Sequence, residues 1–268
     1  MKKYLLGLVA TLLVIILAFQ TPGICVNASA ENTNYVYVNG IRFAVYIDSD
    51  NNIVVKSADD KTNATLKLKM GKGATATIEN KNHQREIFTY NIQNLSSKDA
   101  SVSILKNGTI IEKISDISDL QPDTYTGQAA AIGILFGGAV LAEALLWALI
   151  IAGIVIVVAG VTYIAVSSAK TEIEKKQSQY FSAYLVTGPT GNVFINPIGI
   201  GYSTAVSRLS SGKNVYTWTS AQAKMICIGT GLGYIGPENH RNGNIIGAYY
   251  NHYHPGNRIG HSFYGLPC

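Results

Sequence analysis

Hydrophobic and polar positions alternate along residues 33–115. "NYVYVNGIRFAVYI" sets Asn39-Gly40 between two β-rich runs, and "SVSILKNGTIIEKI" repeats the device at Asn107-Gly108. Asn-Gly between alternating segments is a strong hairpin signal, because the favoured two-residue turn needs positive φ at both positions. Between the two hairpins lie "NIVVKSA", "ATLKLKM", "ATATIEN" and "REIFTYNI", separated by Asp, Asn, Gly and Lys. A period of two predicts antiparallel strands with one wet face. Residues 31–115 are therefore expected to form an all-β sandwich or meander. Its only histidine, His83, reads as a surface residue, so this part suits a binding or scaffold module with a cell-surface receptor as its candidate partner. "DISDLQPDTYTGQ" (116–128) is polar, holds Pro122 and Gly127, and reads as a linker.

The alternation then stops. From Ala129 to Val166 the one charged residue is Glu143. An apolar run of at least ~18 residues is a transmembrane candidate. "ALLWALIIAGIVIVVAGVTYIAV" (144–166) is long enough to cross a bilayer as a helix. Residues 129–166 are thus expected to be a hydrophobic transmembrane segment or a helical hairpin with Glu143 near its tip; a core hairpin is the arrangement that needs no membrane. Residues 167–187 read as a helical connector. From residue 188 to 268 short strands alternate with "YSTAVSRLSSG" and "SAQAKMICIGTG", two helical stretches, the second with Ser220 as a candidate N-cap. The expected fold is thus multi-part: an N-terminal antiparallel all-β domain, a hydrophobic helical segment and a small C-terminal α+β domain.

Residues 1–30 predict a removed signal peptide. Met1-Lys2-Lys3 is a positive start, Tyr4 to Phe19 is apolar, and Ala28-Ser29-Ala30 is a small-residue cleavage site. The chain is thus expected to be exported, and secreted or membrane-associated. Of the cysteines, Cys227 and Cys268 lie beyond the leader, and two cysteines in an exported chain suggest one disulfide.

Charge separates the two halves. Residues 31–123 carry 12 acids and 11 bases, whereas Lys176, Arg208, Lys213, Lys224, Arg241 and Arg258 face a single acid, Glu238, from Lys176 onward. This balance favours an anionic partner, RNA or a membrane surface. It also excludes two chemistries. A two-metal magnesium nuclease and a two-carboxylate glycosidase both need more acids than this region holds.

The five histidines are placed unevenly: His240, His252, His254 and His261 all fall near the C-terminus. In "YYNHYHPGNRIGHSFYG" (249–265), His252 and His254 are two apart on a predicted strand and so share a face. Pro255 to Gly260 is a turn by composition. If it returns the chain so that His261 meets His254, three imidazoles lie together, with Phe263 opposite His252 and Arg258 on the turn. Such a cluster supports two chemistries. The histidines could act as acid and base in a metal-independent cleavage of RNA, with Arg258 stabilising the phosphorane. They could instead hold a zinc ion with one open position. A third reading is a Tyr/His-rich hairpin that only packs. Arg241, Lys224, Tyr264 and Glu238 are the candidate substrate-binding residues around them.

"STAVSRLSSGKNVY", "GPENH" and the closing HYH…R…H-x-FYG pattern resemble a family of exported Gram-positive toxin-like proteins, and the C-terminal modules of polymorphic secreted toxins. The resemblance is best over 130–268 and weak over 31–115. It matches at His252, His254, Arg258, His261 and Tyr264, and less closely at Gly236-Pro237-Glu238, and implies antagonism of other cells, with a cognate immunity protein as a further partner. The reaction does not come from the resemblance. The sequence therefore sets up a membrane-associated toxin whose last domain is a candidate ribonuclease, against a non-enzymatic agent acting through 129–166 or a membrane-tethered binding protein.

Overall fold

Both Asn-Gly pairs form the expected turns in the computed structural model. Asn39 and Gly40 have φ of 49° and 74°, Asn107 and Gly108 have 53° and 78°, and each pair joins antiparallel strands, the second with a register shift between Ile104 and Leu105. The structure describes residues 33–58, 63–70, 73–79, 83–96, 98–116, 138–186, 192–239 and 249–267. The predicted leader at 1–30, the linker beyond Asp116, the apolar residues 129–137, His240, Arg241 and Cys268 lie outside them.

The first half is an antiparallel run: β1 (Asn34–Val38), β2 (Ile41–Ile47), β3 (Ile53–Ser57), β4 (Asn63–Lys69), β5 (Gly73–Glu79), β6 (Arg85–Leu95), β7 (Ala100–Lys106) and β8 (Thr109–Ile114). Neighbours in sequence pair with one another throughout. Alternate side chains go inward: Phe43, Val45, Leu66, Ala76, Phe88 and Tyr90 are all buried. His83 is exposed, on Glu79, as the sequence suggested.

The expectation for 129–166 is overturned. Helix α1 (Gly138–Ala152) has 15 residues, and no helix among the described residues is long and apolar enough to cross a membrane. α1 ends at Gly153, whose φ is +63° and whose N–H bonds the Ile150 carbonyl. The stretch beyond Gly153 is rich in β-branched residues, which favour strands. Accordingly β9 (Val155–Val158) and β10 (Val161–Ala165) pair across Ala159-Gly160, with φ of 49° and 75°. This is the same turn geometry as the Asn-Gly hairpins, hidden inside an apolar run.

α1 has core on one side and is buried at Leu141, Leu145, Leu146 and Leu149. It lies over the first strands of the sheet, in one apolar cluster with Phe43, Leu66 and Tyr90. The Tyr90 hydroxyl donates to the Ala142 carbonyl at 3.0 Å inside this layer. The apolar character that suggested lipid is thus satisfied by the β-sheet.

The connector at 167–187 is also not a continuous helix. A short α2 (Lys170–Lys175) is followed by β11 (Tyr180–Val186). Then come β12 (Asn192–Ile200), α3 (Tyr202–Ser210), β13 (Val215–Thr217), α4 (Ser220–Gly229), β14 (Tyr234–Glu238), β15 (Asn251–Pro255) and β16 (Ser262–Tyr264). α4 is capped by Thr219, one residue before the expected Ser220, in a reciprocal capping box with Gln222.

The multi-part fold expected from the sequence therefore gives way to a mostly β molecule with one mixed sheet and four short helices among the described residues. The strand order is β1-β2-β3-β4-β5-β6-β9-β10-β12-β11-β13-β16-β15-β14, with β7 and β8 branching from β6. The halves meet where Leu95 pairs with Val157, reinforced by Ala159 N–H to Asn94 Oδ1 at 2.9 Å and Gly160 N–H to the Gln93 carbonyl at 2.7 Å. Of the described pairings, β13–β16 is parallel. β11 stands between β12 and β13, so a cut at 188 would remove a strand from inside the sheet.

Candidate metal centre

The closing strands carry the histidines on one face. β15 and β16 are antiparallel, with Asn251 opposite Tyr264, His252 opposite Phe263 and Tyr253 opposite Ser262. Because side chains alternate, Tyr253 and Tyr264 go to one face and His252, His254 and Phe263 to the other. The tyrosine face is covered by α3 and α4: Tyr253 clusters with Ala205, Leu209, Val215, Ala223, Ile226 and Cys227. The turn at Pro255–Gly260 is closed by Arg258 N–H on the Pro255 carbonyl, with Arg258 and Gly260 at φ of 57° and 78°. It returns the chain so that His261 stacks on Phe263 with rings 9° apart.

The three imidazoles meet. Ring centroids are 4.9 Å apart for His252–His254, 5.0 Å for His252–His261 and 4.5 Å for His254–His261. One ring nitrogen from each lies within 4.8 Å of the others. His252 and His254 are buried, at 2% and 5% exposure.

Each ring is also held by its Nδ1. His252 Nδ1 lies 3.0 Å from the Tyr250 carbonyl and His254 Nδ1 2.9 Å from the Gly260 carbonyl. His261 Nδ1 lies 2.9 Å from Asn214 Oδ1, which also accepts the His261 backbone N–H at 3.0 Å. An oxygen that already accepts an N–H is the acceptor of the pair. All three partners are acceptors, so Nδ1 carries the hydrogen and the lone pair of the neutral ring belongs to Nε2. An Nδ1–H bound to a carbonyl is the usual outer support of a metal-ligating imidazole.

Glu238 stands at the edge of this group. His254 Nε2 is 3.6 Å from Glu238 Oε2. That exceeds a hydrogen bond. Arg258 grips the same carboxylate with Nη2 at 2.9 Å and Nη1 at 3.3 Å. Glu238 reaches this face through a bulge: Ile235 pairs with His254, but Glu238 rather than Pro237 pairs with His252. One extra residue re-aims the strand. Gly236 sits in it with φ of +116°, and a Cβ there would come 3.0 Å from the His252 carbonyl.

The residues expected to act together are thus partly brought together. His252, His254 and His261 share one centre, with Glu238 and Arg258 beside it. Lys224 and Tyr264 belong to the opposite face of the sheet. Tyr264 stacks on Tyr253 at 5.7 Å, and the Lys224 ammonium lies 4.2 Å from the centre of the Tyr234 ring. Arg241 lies outside the described residues. Among the described residues Cys227 has no disulfide partner; it is buried on the inner side of α4, its thiol pushed up to about 12 by burial, while its suggested partner Cys268 lies outside the described residues. Asn214 was not legible as a site residue: it lies within "STAVSRLSSGKNVY", which carried a resemblance but no chemistry, and the β13–β16 pairing is what brings it to His261.

No family model, curated protein or solved structure matches this chain. The functional reading therefore stands on the site itself. The three histidines can hold a metal ion.

Proposed function

We propose that the C-terminal region is a zinc-type metal centre and the effector of an exported, toxin-like protein. The observation that carries it is the convergence of three imidazoles whose Nδ1 atoms are each held at 2.9–3.0 Å by an oxygen acceptor. Three neutral histidines with one position left for water or substrate make a catalytic zinc set, whereas a structural site is normally closed by four protein ligands. Acid–base cleavage without a metal is supported less well. It needs two imidazoles on different sides of the reacting phosphate, and here the ring nitrogens lie within 4.8 Å of one another.

The reaction class that fits is hydrolysis of an anionic substrate, with RNA the first to test because six bases face one acid from Lys176 onward. His252, His254 and His261 would hold the ion, which would supply an acidified water for attack on phosphorus. Glu238 would take the proton of the attacking water and pass it to the leaving oxygen as the phosphorus–oxygen bond to the leaving nucleoside breaks. Arg258 keeps the Glu238 carboxylate oriented for this exchange.

The test is cleavage of single-stranded RNA by the zinc-loaded full-length chain. The expected result is cleavage that a chelator stops and zinc restores, lost in H254A, and reduced about 100-fold or more in E238Q with zinc content unchanged. RNA cleavage indifferent to chelator and to His254 would remove the metal from the reaction, and no cleavage by the zinc-loaded chain would remove RNA as its substrate.

A further inference from the structure

We infer that the outer face of α4 is a docking surface for an anionic lipid bilayer, independently of the metal centre. α4 is apolar on two sides. Its inner side buries Ala223, Ile226 and Cys227 against the sheet. Its outer side repeats the pattern: Met225 and Ile228 are each 52% exposed, and Leu232, just past the helix, is 49% exposed. The spacing of three places Met225 and Ile228 on one face of the helix, and Leu232 follows just past its end. A surface helix normally turns charged or polar residues outward; a second apolar face implies a second apolar surrounding.

Two tyrosines and Lys224 flank these residues. Tyr202 of α3 donates its hydroxyl to the Met225 carbonyl and is 40% exposed. Tyr234, 43% exposed, carries the Lys224 ammonium over its ring. Amphipathic rings and a lysine stem beside exposed aliphatic groups suit the boundary between acyl chains and headgroups. The charge selects the occupant. Residues 175–237 contain five bases and no acid, and Lys224 stands on α4 itself. A second copy on the same face would set segments of like charge against one another. An anionic headgroup layer neutralises them.

The experiment is flotation of the full-length chain with vesicles of phosphatidylcholine alone and of phosphatidylcholine with phosphatidylglycerol. The wild type is expected to float with the anionic vesicles, about tenfold more than with the neutral ones, and to come off as salt rises. M225S/I228S, which alters side chains exposed in the fold, should lower anionic partitioning about tenfold while keeping its melting temperature and zinc content; K224Q should lower it less. Equal binding by wild type and M225S/I228S would assign the affinity elsewhere in the chain and overturn the inference. So would no binding to either vesicle, or a wild-type dimer in light scattering that M225S/I228S abolishes.

Discussion

Asn214 is the residue at which the metal reading is most exposed to test. It touches no ion in the proposed centre and acts through His261, whose ring and backbone N–H it holds at 2.9 and 3.0 Å. N214A should lower zinc affinity about 10–100-fold, as loss of an outer hydrogen bond to a ligand does. An N214A chain that binds zinc as the wild type does would mean that this contact orients nothing. Cys227 gives a second residue-level prediction. Burial raises its thiol to about 12, so it should resist iodoacetamide in the native chain at neutral pH and label fully after denaturation without reductant. Peptide mass mapping would read this; no labelling in the denatured, unreduced chain would instead reveal a disulfide. A third concerns pH. Burial raises the Asp48 carboxyl, but hydrogen bonds from Lys67 and Asn52 outweigh it and hold it below its usual value. Its contribution is present above the unfolded value of ~3.9 and is lost as pH falls through the lower folded value. D48N should therefore be less stable than wild type at neutral pH, with the gap closing in acid; a gap constant with pH would contradict this.

At the scale of elements, alternation and Asn-Gly turns made β1–β8 legible, because a half-wet antiparallel sheet writes its period directly into the sequence. The apolar run was not legible for a physical reason. Helix, buried strand and bilayer span are all written in the same aliphatic letters, and here two states share one run. Gly153 ends α1, and the β-branched residues after it take up β9 and β10. Burial of α1 makes its own prediction. Leu145 is fully buried in the main core, so L145A should cost about 2–5 kcal/mol in denaturant unfolding of detergent-free protein. A lipid-facing leucine would leave that value nearly unchanged. The histidine hairpin was read more fully, since period two put His252 and His254 together and turn composition returned His261. Glu238 was named from its rarity, but its approach to His254 depends on a bulge that composition does not reveal.

At the scale of the molecule, one sheet runs from β1 to β14 and places the histidines near its far end, beside edge strand β14. The helices α3 and α4 cover the tyrosine face, while Phe263, Tyr216 and Tyr250 continue the main core toward the histidine side. Of the three histidines that could hold a metal, His252 and His254 stand on paired strand β15 and His261 immediately precedes β16, a placement that suits ligands held in fixed directions. The sequence suggested separable parts, and what it could not convey is the junction at Leu95 and Val157 that joins both halves into a single sheet. The most direct test of the account is cobalt(II) titration of the metal-stripped full-length chain, read by visible ligand-field absorption. Saturation at one ion per chain, with the bands abolished in both H252A and H254A, is the result expected of a three-histidine centre. No saturable band, or one that persists when either histidine is removed, would contradict it.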